Sequence, residues 1–461
     1  MIIAKKRIDF KDFLCLIIIR ELYLFLTLYI LKDLWYIGYG SYGIDFELKK
    51  ELLGLLSFVL VSLYYLSIRK KGVFTDCVLR FLFIIYFIPL NCAYALNNMS
   101  LSFWAYSSLF YFLTIFLVRH FVPDASEHDR KDSKRSGYFE NCPALQWICL
   151  VVCCLCIVSK IMYNGFSFSL SLGGDYVYSQ RAEFQSSMDS ISGGAISYIF
   201  SIVRNLASFV APVYLYYSLK HRKVFPSIIS ILCVLSIYAM SASKGTLFIT
   251  LWALLILVLE KLHKLKNINR LFTYLVICGL IVCLLERLVL HTDRIYMLLV
   301  RRVMYYPAWL NTIYYDFFSV NSKVLWTQDT FLLQNILPSV YNVSPLELIS
   351  NKYYQGLIPS PNTGLFAEAF MNFGVFGILL YPAIIAVMLK LSNKLYNRCG
   401  IGIAVLVSAQ LVIQLTNVPI VRTDFVLSYI LFTFLLWAVY RLKSGRAKQK
   451  FCMKRVKDNN V

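Results

Sequence analysis

Long apolar blocks alternate with short polar breaks along almost the whole chain. They lie near residues 13–31, 52–68, 77–96, 101–118, 144–164, 194–219, 227–243, 245–260, 271–289, 366–390, 401–418 and 424–441. A helix needs roughly 20 apolar residues to cross the hydrocarbon of a bilayer, and these blocks are of that order. The pattern predicts an all-α, polytopic integral membrane protein with about twelve transmembrane helices. The seventh and eighth blocks are short and are divided only by SASKG at 241–245. Lys5, Lys6, Arg7 and Lys11 lead straight into a full-length span, so no removable signal peptide is expected.

The breaks divide the chain into segments. Residues 1–118 hold helices 1–4, 119–143 form a polar, mixed-charge cytoplasmic linker, and 144–289 hold helices 5–9 with an outer loop at 165–193. Residues 290–365 are read as one large outer loop of about 75 residues, 366–441 as helices 10–12, and 442–461 as a basic tail. Connectors are normally far shorter than 290–365, so that stretch needs a reason.

Charge orients the spans. Lys and Arg gather in alternate connections: the N-terminus, RKK at 69–71, Arg119 to Arg135, KHRK at 220–223, KLHKLKNINR at 261–270, KLSNKLYNR at 390–398, and the tail. The positive-inside rule puts these segments, and both termini, in the cytoplasm. The net charge of +21 then reads as topology and attraction to anionic lipid, with no nucleic-acid partner.

Composition agrees: 59% hydrophobic, 15% charged, mean hydropathy +0.64. Most of the thirteen cysteines fall in spans, where apolar helix faces offer no ligand geometry, so no metal site and no disulfide framework is expected.

Against this background the outer-face cations stand out. At 100° per residue, Arg287, His291, Arg294, Arg301 and Arg302 share an arc of roughly 100° on one helix, with Glu286 and Asp293 outside it. A basic stripe of this kind either holds an anion, which the Arg fork suits, or lies on anionic lipid headgroups. Arg181, in the Ser- and Gly-rich outer loop, and Lys244, at the SASKG break, also map outside; Lys244 either meets an anion or snorkels. Arg204 lies inside the sixth span, where a charge needs an anionic partner or water. Arg20 and Glu21 sit inside the first span and Arg80 near the inner end of the third, with structural pairing expected for Arg20. In PSPNTGLFAEAFMNFGVFG, at 359–377, Asn362 or Thr363 caps the tenth span, and Glu368, a turn inside it, either acts as a base or pairs with an outer Arg. Nucleotide and metal motifs (D-x-D, the P-loop, H-E-x-x-H, G-x-S-x-G) are absent, which leaves a nucleotide-driven pump or a cytosolic nucleotide-sugar transferase without support.

With this layout, and with Arg181, SASKG, RRVMYYPAWLNTIYYDFF at 301–318 and PSPNTGLFAEAFMNFGVFG, the chain resembles the bacterial O-antigen or oligosaccharide repeat-unit polymerases, the Wzy family. Where that family's loops carry R-x10-G, Arg181 and Gly193 stand one residue further apart. The resemblance implies an inner-membrane glycosyltransferase that joins undecaprenyl-pyrophosphate-linked repeat units at the periplasmic face, without metal or other cofactor. It implies membrane lipids and a chain-length regulator as partners. Arg294, Arg301 and Arg302 would meet the leaving pyrophosphate, Arg181 or Arg204 the second substrate, and His291 or Glu368 the acceptor proton. The rival readings are an O-antigen ligase and a flippase or transporter of the same lipid-linked sugar.

Overall fold

The structure, a computed structural model, describes residues 9–31, 44–124, 139, 142–165, 195–241, 244–328, 336–354, 361, 364–422 and 425–441. Among these residues all regular structure is helical. The first helices are α1 (Phe10–Leu31), α2 (Leu48–Leu66), α3 (Val73–Leu96) and α4 (Leu101–Phe121); then come α5 (Pro143–Asn164), α6 (Ala195–Lys220), α7 (Val224–Ser241) and α8 (Lys244–Lys261). The chain continues through α9 (Ile268–Leu290), a π-helical segment (Tyr296–Tyr305) that runs into α10 (Tyr306–Val320), and α11 (Pro345–Tyr354). It closes with α12 (Phe366–Phe373), α13 (Val375–Arg398), α14 (Ile401–Asn417) and α15 (Val426–Arg441).

The protein is therefore a helical, multi-pass membrane protein. Seven described helices, α1, α3, α4, α5, α6, α9 and α13, are long and apolar enough to cross a membrane. Shorter apolar helices cover most of α7, α14 and α15, while α2 and α8 carry charged residues at their ends.

One sequence expectation changes and another gains detail. The tenth span does not run continuously over 366–390. Gly374, at φ +57°, ends α12, and α13 folds back along it. The Tyr381 hydroxyl reaches Glu368 at 2.9 Å, thirteen residues away, which a continuous helix would hold about 20 Å apart. Close approach at Gly377, where a Cβ would run into the carbonyl of Ala369, completes the hairpin. Hydropathy sums apolarity over a window and cannot register this reversal.

Within the stretch read as the large outer loop, the described residues 294–320 and 345–354 are helical. Eleven of the fifteen residues of α10 are buried, because Trp309, Ile313 and Phe317, and likewise Leu310, Tyr314 and Phe318, recur at helical spacing in what reads as a polar-aromatic stretch.

The chain divides into two units. One comprises Met1–Ser126, Lys264–Asn393 and Leu411–Thr423, the other Glu127–His263, Lys394–Gln410 and Asp424–Val461. In the second, Glu260 of α8 accepts from Lys220 at 2.9 Å and from the Tyr216 hydroxyl, and Lys223 joins Tyr217 at 2.9 Å to Gln146 at 3.1 Å. Cys149, Cys153, Cys156 and Cys233 there are free, buried thiols.

In the first unit, Arg20 is wholly buried on α1. Its Nη1 lies 2.5 Å from both Glu21 and Glu51, and its Nε donates to the Asn91 Oδ1 at 3.1 Å. Arg80 similarly reaches Asp12 at 2.9 Å and the Thr273 hydroxyl at 2.7 Å. A buried ion costs several kcal/mol once its partner is gone. Arg20→Met is therefore expected to destabilise the protein by about 3–5 kcal/mol, and Arg20→Met with Glu51→Leu to recover most of that loss. Thermal unfolding of the purified variants checks this; equal losses in the single and double variants would show that the pair is not the cause.

Candidate anion-binding site

The basic stretch begins where α9 stops. The last turn of α9, Glu286–Leu290, is π-helical, and His291 adopts a left-handed conformation at φ +51° that ends the helix. Helix restarts at Arg294, and its first amides need acceptors. Buried Glu286 supplies them: one carboxylate oxygen accepts from Thr292 Oγ1 and the Arg294 N–H, both at 2.9 Å, and the other from the Ile295 N–H at 2.8 Å. A carboxylate suits this place because it meets the positive end of the new helix.

This corrects the single regular helix assumed for residues 287–302, since the 100° projection fails across a break followed by a π segment. Arg287 leaves the basic set. Its Nη1 donates to Asp293 at 2.7 Å and its guanidinium lies over the Tyr29 ring at 5.6 Å.

The remaining cations sort by exposure. Tyr296, Val300 and Met304 are buried, and the Tyr296 hydroxyl donates to Thr27 at 3.1 Å, which fixes the inward face of the segment. Arg294 and Arg302 lie on the exposed side with Leu298, Leu299 and Val303. His291 is exposed at the break, and Arg301 is half-buried. Among the described residues Arg294, Arg302 and His291 make no side-chain hydrogen bond or salt bridge. Two cations thus stand in an apolar surface with no carboxylate among the described residues to neutralise them. Long π segments are rare and recur at functional sites, because the extra residue per turn re-aims side chains.

Glu368 lies elsewhere, fully buried in the α12–α13 hairpin. Its carboxylate accepts from the Tyr381 hydroxyl at 2.9 Å and the Ile420 N–H at 2.8 Å. Trp326 Nε1 donates to the same Tyr381 oxygen at 2.7 Å, and Asn372 Nδ2 does so at 3.3 Å. No guanidinium pairs with Glu368 among the described residues, so the expected outer-Arg partner is replaced by this network. A carboxylate with no exposed surface is out of reach of an acceptor hydroxyl in this conformation.

The N-terminus of α12 is capped from a distance. Leu365 at its start sits at φ +50° without a capping side chain, and the Phe366 N–H donates to the Tyr86 hydroxyl at 3.0 Å, the Ala367 N–H to Asn311 Oδ1 at 2.9 Å. Tyr86 in turn donates to Asn311 at 2.8 Å, and the Tyr314 hydroxyl holds the Pro361 carbonyl at 3.0 Å. At Gly364 a Cβ would run into the carbonyl of Leu415. Gly364, Gly374 and the capped amides of Phe366 and Ala367 therefore build a tight hairpin of α12 on α13. Asn311 and Tyr86 carry no sequence signal for this role, since their partners lie 56 and 280 residues away.

Of the other expected site residues, Arg204 is half-buried on α6 and Lys244 begins α8. Arg181 and Asn362 lie outside the described residues. Beyond the spans, burial lowers the pKa of the Lys323 ammonium, which donates to the Phe318 carbonyl and lies 4.7 Å from the centre of the Phe370 ring. Compared with family models, curated proteins and solved structures, the chain matches none.

Proposed function

We propose that this protein joins oligosaccharide repeat units carried on undecaprenyl pyrophosphate into a surface polysaccharide of the O-antigen type. One observation carries the reading. Arg294 and Arg302 stand exposed and unneutralised among Leu298, Leu299 and Val303, a surface complementary to a lipid with an anionic headgroup. The charge distribution supports placing that surface at the periplasmic side of a bacterial inner membrane, with both termini cytoplasmic.

In the reaction, a hydroxyl oxygen of the acceptor unit attacks the anomeric carbon of the donor glycan, and the bond from that carbon to the lipid pyrophosphate breaks. The pyrophosphate leaves with the electron pair. Arg294, Arg301 and Arg302 stabilise that growing charge where lipid excludes water. His291, exposed at the helix break, takes the acceptor proton as the bond forms. Arg181 or Arg204 would meet the second substrate, Lys244 and Asn362 remain further substrate-binding candidates, and a chain-length regulator would act on this enzyme as a protein partner.

A second reading has its own observation. The folded-back α12 and the interruption after α14 meet at buried Glu368, through the Ile420 amide, and broken helices around a buried ionisable group also occur in transporters. The glycan banding pattern of a deletion strain, with and without the gene restored, separates the readings. Collapse of the ladder to lipid A core bearing a single repeat unit is expected. Loss of that single unit as well would favour the transporter or a ligase, and an unchanged ladder would overturn both polymerisation and export.

A further inference from the structure

Between α10 and α11 the chain forms a turn whose backbone is secured by the tip of the hairpin. The Val324 N–H donates to the Met371 carbonyl at 3.0 Å, the Leu325 N–H to the Asn372 carbonyl at 3.2 Å, and the Trp326 N–H to Asn372 Oδ1 at 2.9 Å. These bonds satisfy carbonyls that the end of α12 leaves open, which irregular backbone beside a membrane requires. Leu325 and Trp326 are held at φ +56° and +60°, a conformation costly for side chains of this size. That geometry directs the Trp326 indole inward, edge-on to Phe373 and bonded to Tyr381, and leaves Leu325 on the surface.

A second stretch lies against the first. Gln328 Nε2 donates to the carbonyls of Tyr341 and Val343 at 2.8 and 3.0 Å, and the Tyr341 hydroxyl to the Ser322 carbonyl at 2.6 Å. Together the two stretches expose Val320 (80%), Leu325 (51%), Ile336 (73%) and Leu337 (41%). Val375 and Phe376, which follow the Asn372 and Phe373 that the turn contacts, begin the membrane span α13 and are likewise exposed.

We propose that residues 320–328 and 336–340 form an interfacial platform, with Val320, Leu325, Ile336 and Leu337 seated among the acyl chains of bilayer lipids in the leaflet at the Val375 end of α13. Two features favour lipid over a protein partner or water. The turn is bonded to Met371 and Asn372, just before a membrane span begins at Val375, and Trp326 bonds Tyr381 two turns inside that span, which sets the strained turn at the level of headgroups and upper chains. Apolar side chains this exposed would otherwise carry a patch penalty in water. The proposal stands independently of the reaction assigned above.

The test uses the full chain reconstituted in phosphatidylcholine and phosphatidylglycerol vesicles. L325C is compared with E347C, whose position is an exposed, polar one on α11. A charged maleimide reacts with thiolate in water, so L325C is expected to react at least about tenfold more slowly than E347C in vesicles and equally fast in denaturant, with the unsubstituted chain giving the background. A fluorophore attached at L325C before reconstitution is expected to be quenched by lipids carrying a nitroxide near the head of the acyl chain, while the same fluorophore at E347C is not. Equal reactivity together with equal quenching would overturn the proposal. Should L325C fail to fold, I336C takes its place in both measurements, with the same result expected and the same result overturning the proposal.

Discussion

Gly377→Ala is expected to lower stability by about 2–4 kcal/mol, because the added methyl meets backbone that cannot turn aside. The obstacle is the carbonyl of Ala369 on the facing arm of the hairpin. Relief requires α12 and α13 to separate, and separation breaks the bond from Tyr381 to Glu368. With that bond lost, a fully buried carboxylate keeps only backbone donors. Gly279→Ala is the control: it also lies in a helix, nothing stands within 4 Å of its Cβ, and Ala is the better helix former. Thermal unfolding in detergent should show G279A at or slightly above the parent and G377A far below. Coincident transitions for the two would mean that the hairpin is not close-packed at Gly377. Gly364→Ala, which meets the Leu415 carbonyl, is expected to follow G377A.

That prediction rests on a feature hidden from hydropathy. Each apolar block is helical over nearly all of its described residues, because block length and apolarity are properties that a window sum measures. Reversal at Gly374 is a property of one φ angle, and FMNFGVFG reads equally well as uninterrupted span. The prolines and glycines of PSPNTGLF mark an irregular approach, yet its capping comes from Tyr86 and Asn311, which only the packed fold brings together. The partner of Arg20 was legible as a need but not as an identity. A buried guanidinium demands a carboxylate, and Glu51 sits at the start of the next helix, where a sequence reading treats it as loop edge.

The basic site was half legible. Residue type and side of the membrane picked out the Arg cluster. The assumed helical phase failed because Glu286 and Asp293, read as bystanders outside the arc, are what build the break and remove Arg287. What survives is smaller and better defined: Arg294 and Arg302 with His291 beside them, and Arg301 half-buried.

Arg302→Lys and Arg302→Ala are both expected to cut polymer formation by about a hundredfold, the usual scale for removing one donor to a developing anion. The difference between the two variants is what discriminates. A planar guanidinium offers two parallel bonds to a pyrophosphate, whereas an ammonium offers the same charge as a point. If Arg302 grips the leaving group, Lys should fail nearly as badly as Ala. If it only draws the segment onto anionic headgroups, charge alone suffices, and Lys should retain the ladder while Ala loses part of it. Glycan banding scored at matched membrane protein levels distinguishes these cases, and a full ladder in both variants would remove Arg302 from the chemistry altogether. Arg301→Lys provides the internal comparison: if the half-buried Arg301 shares the pyrophosphate, its ladder should shorten alongside that of R302K. Loss of the R301K protein from the membrane would instead mark Arg301 as a packing residue, and leave Arg294 and Arg302 to hold the anion.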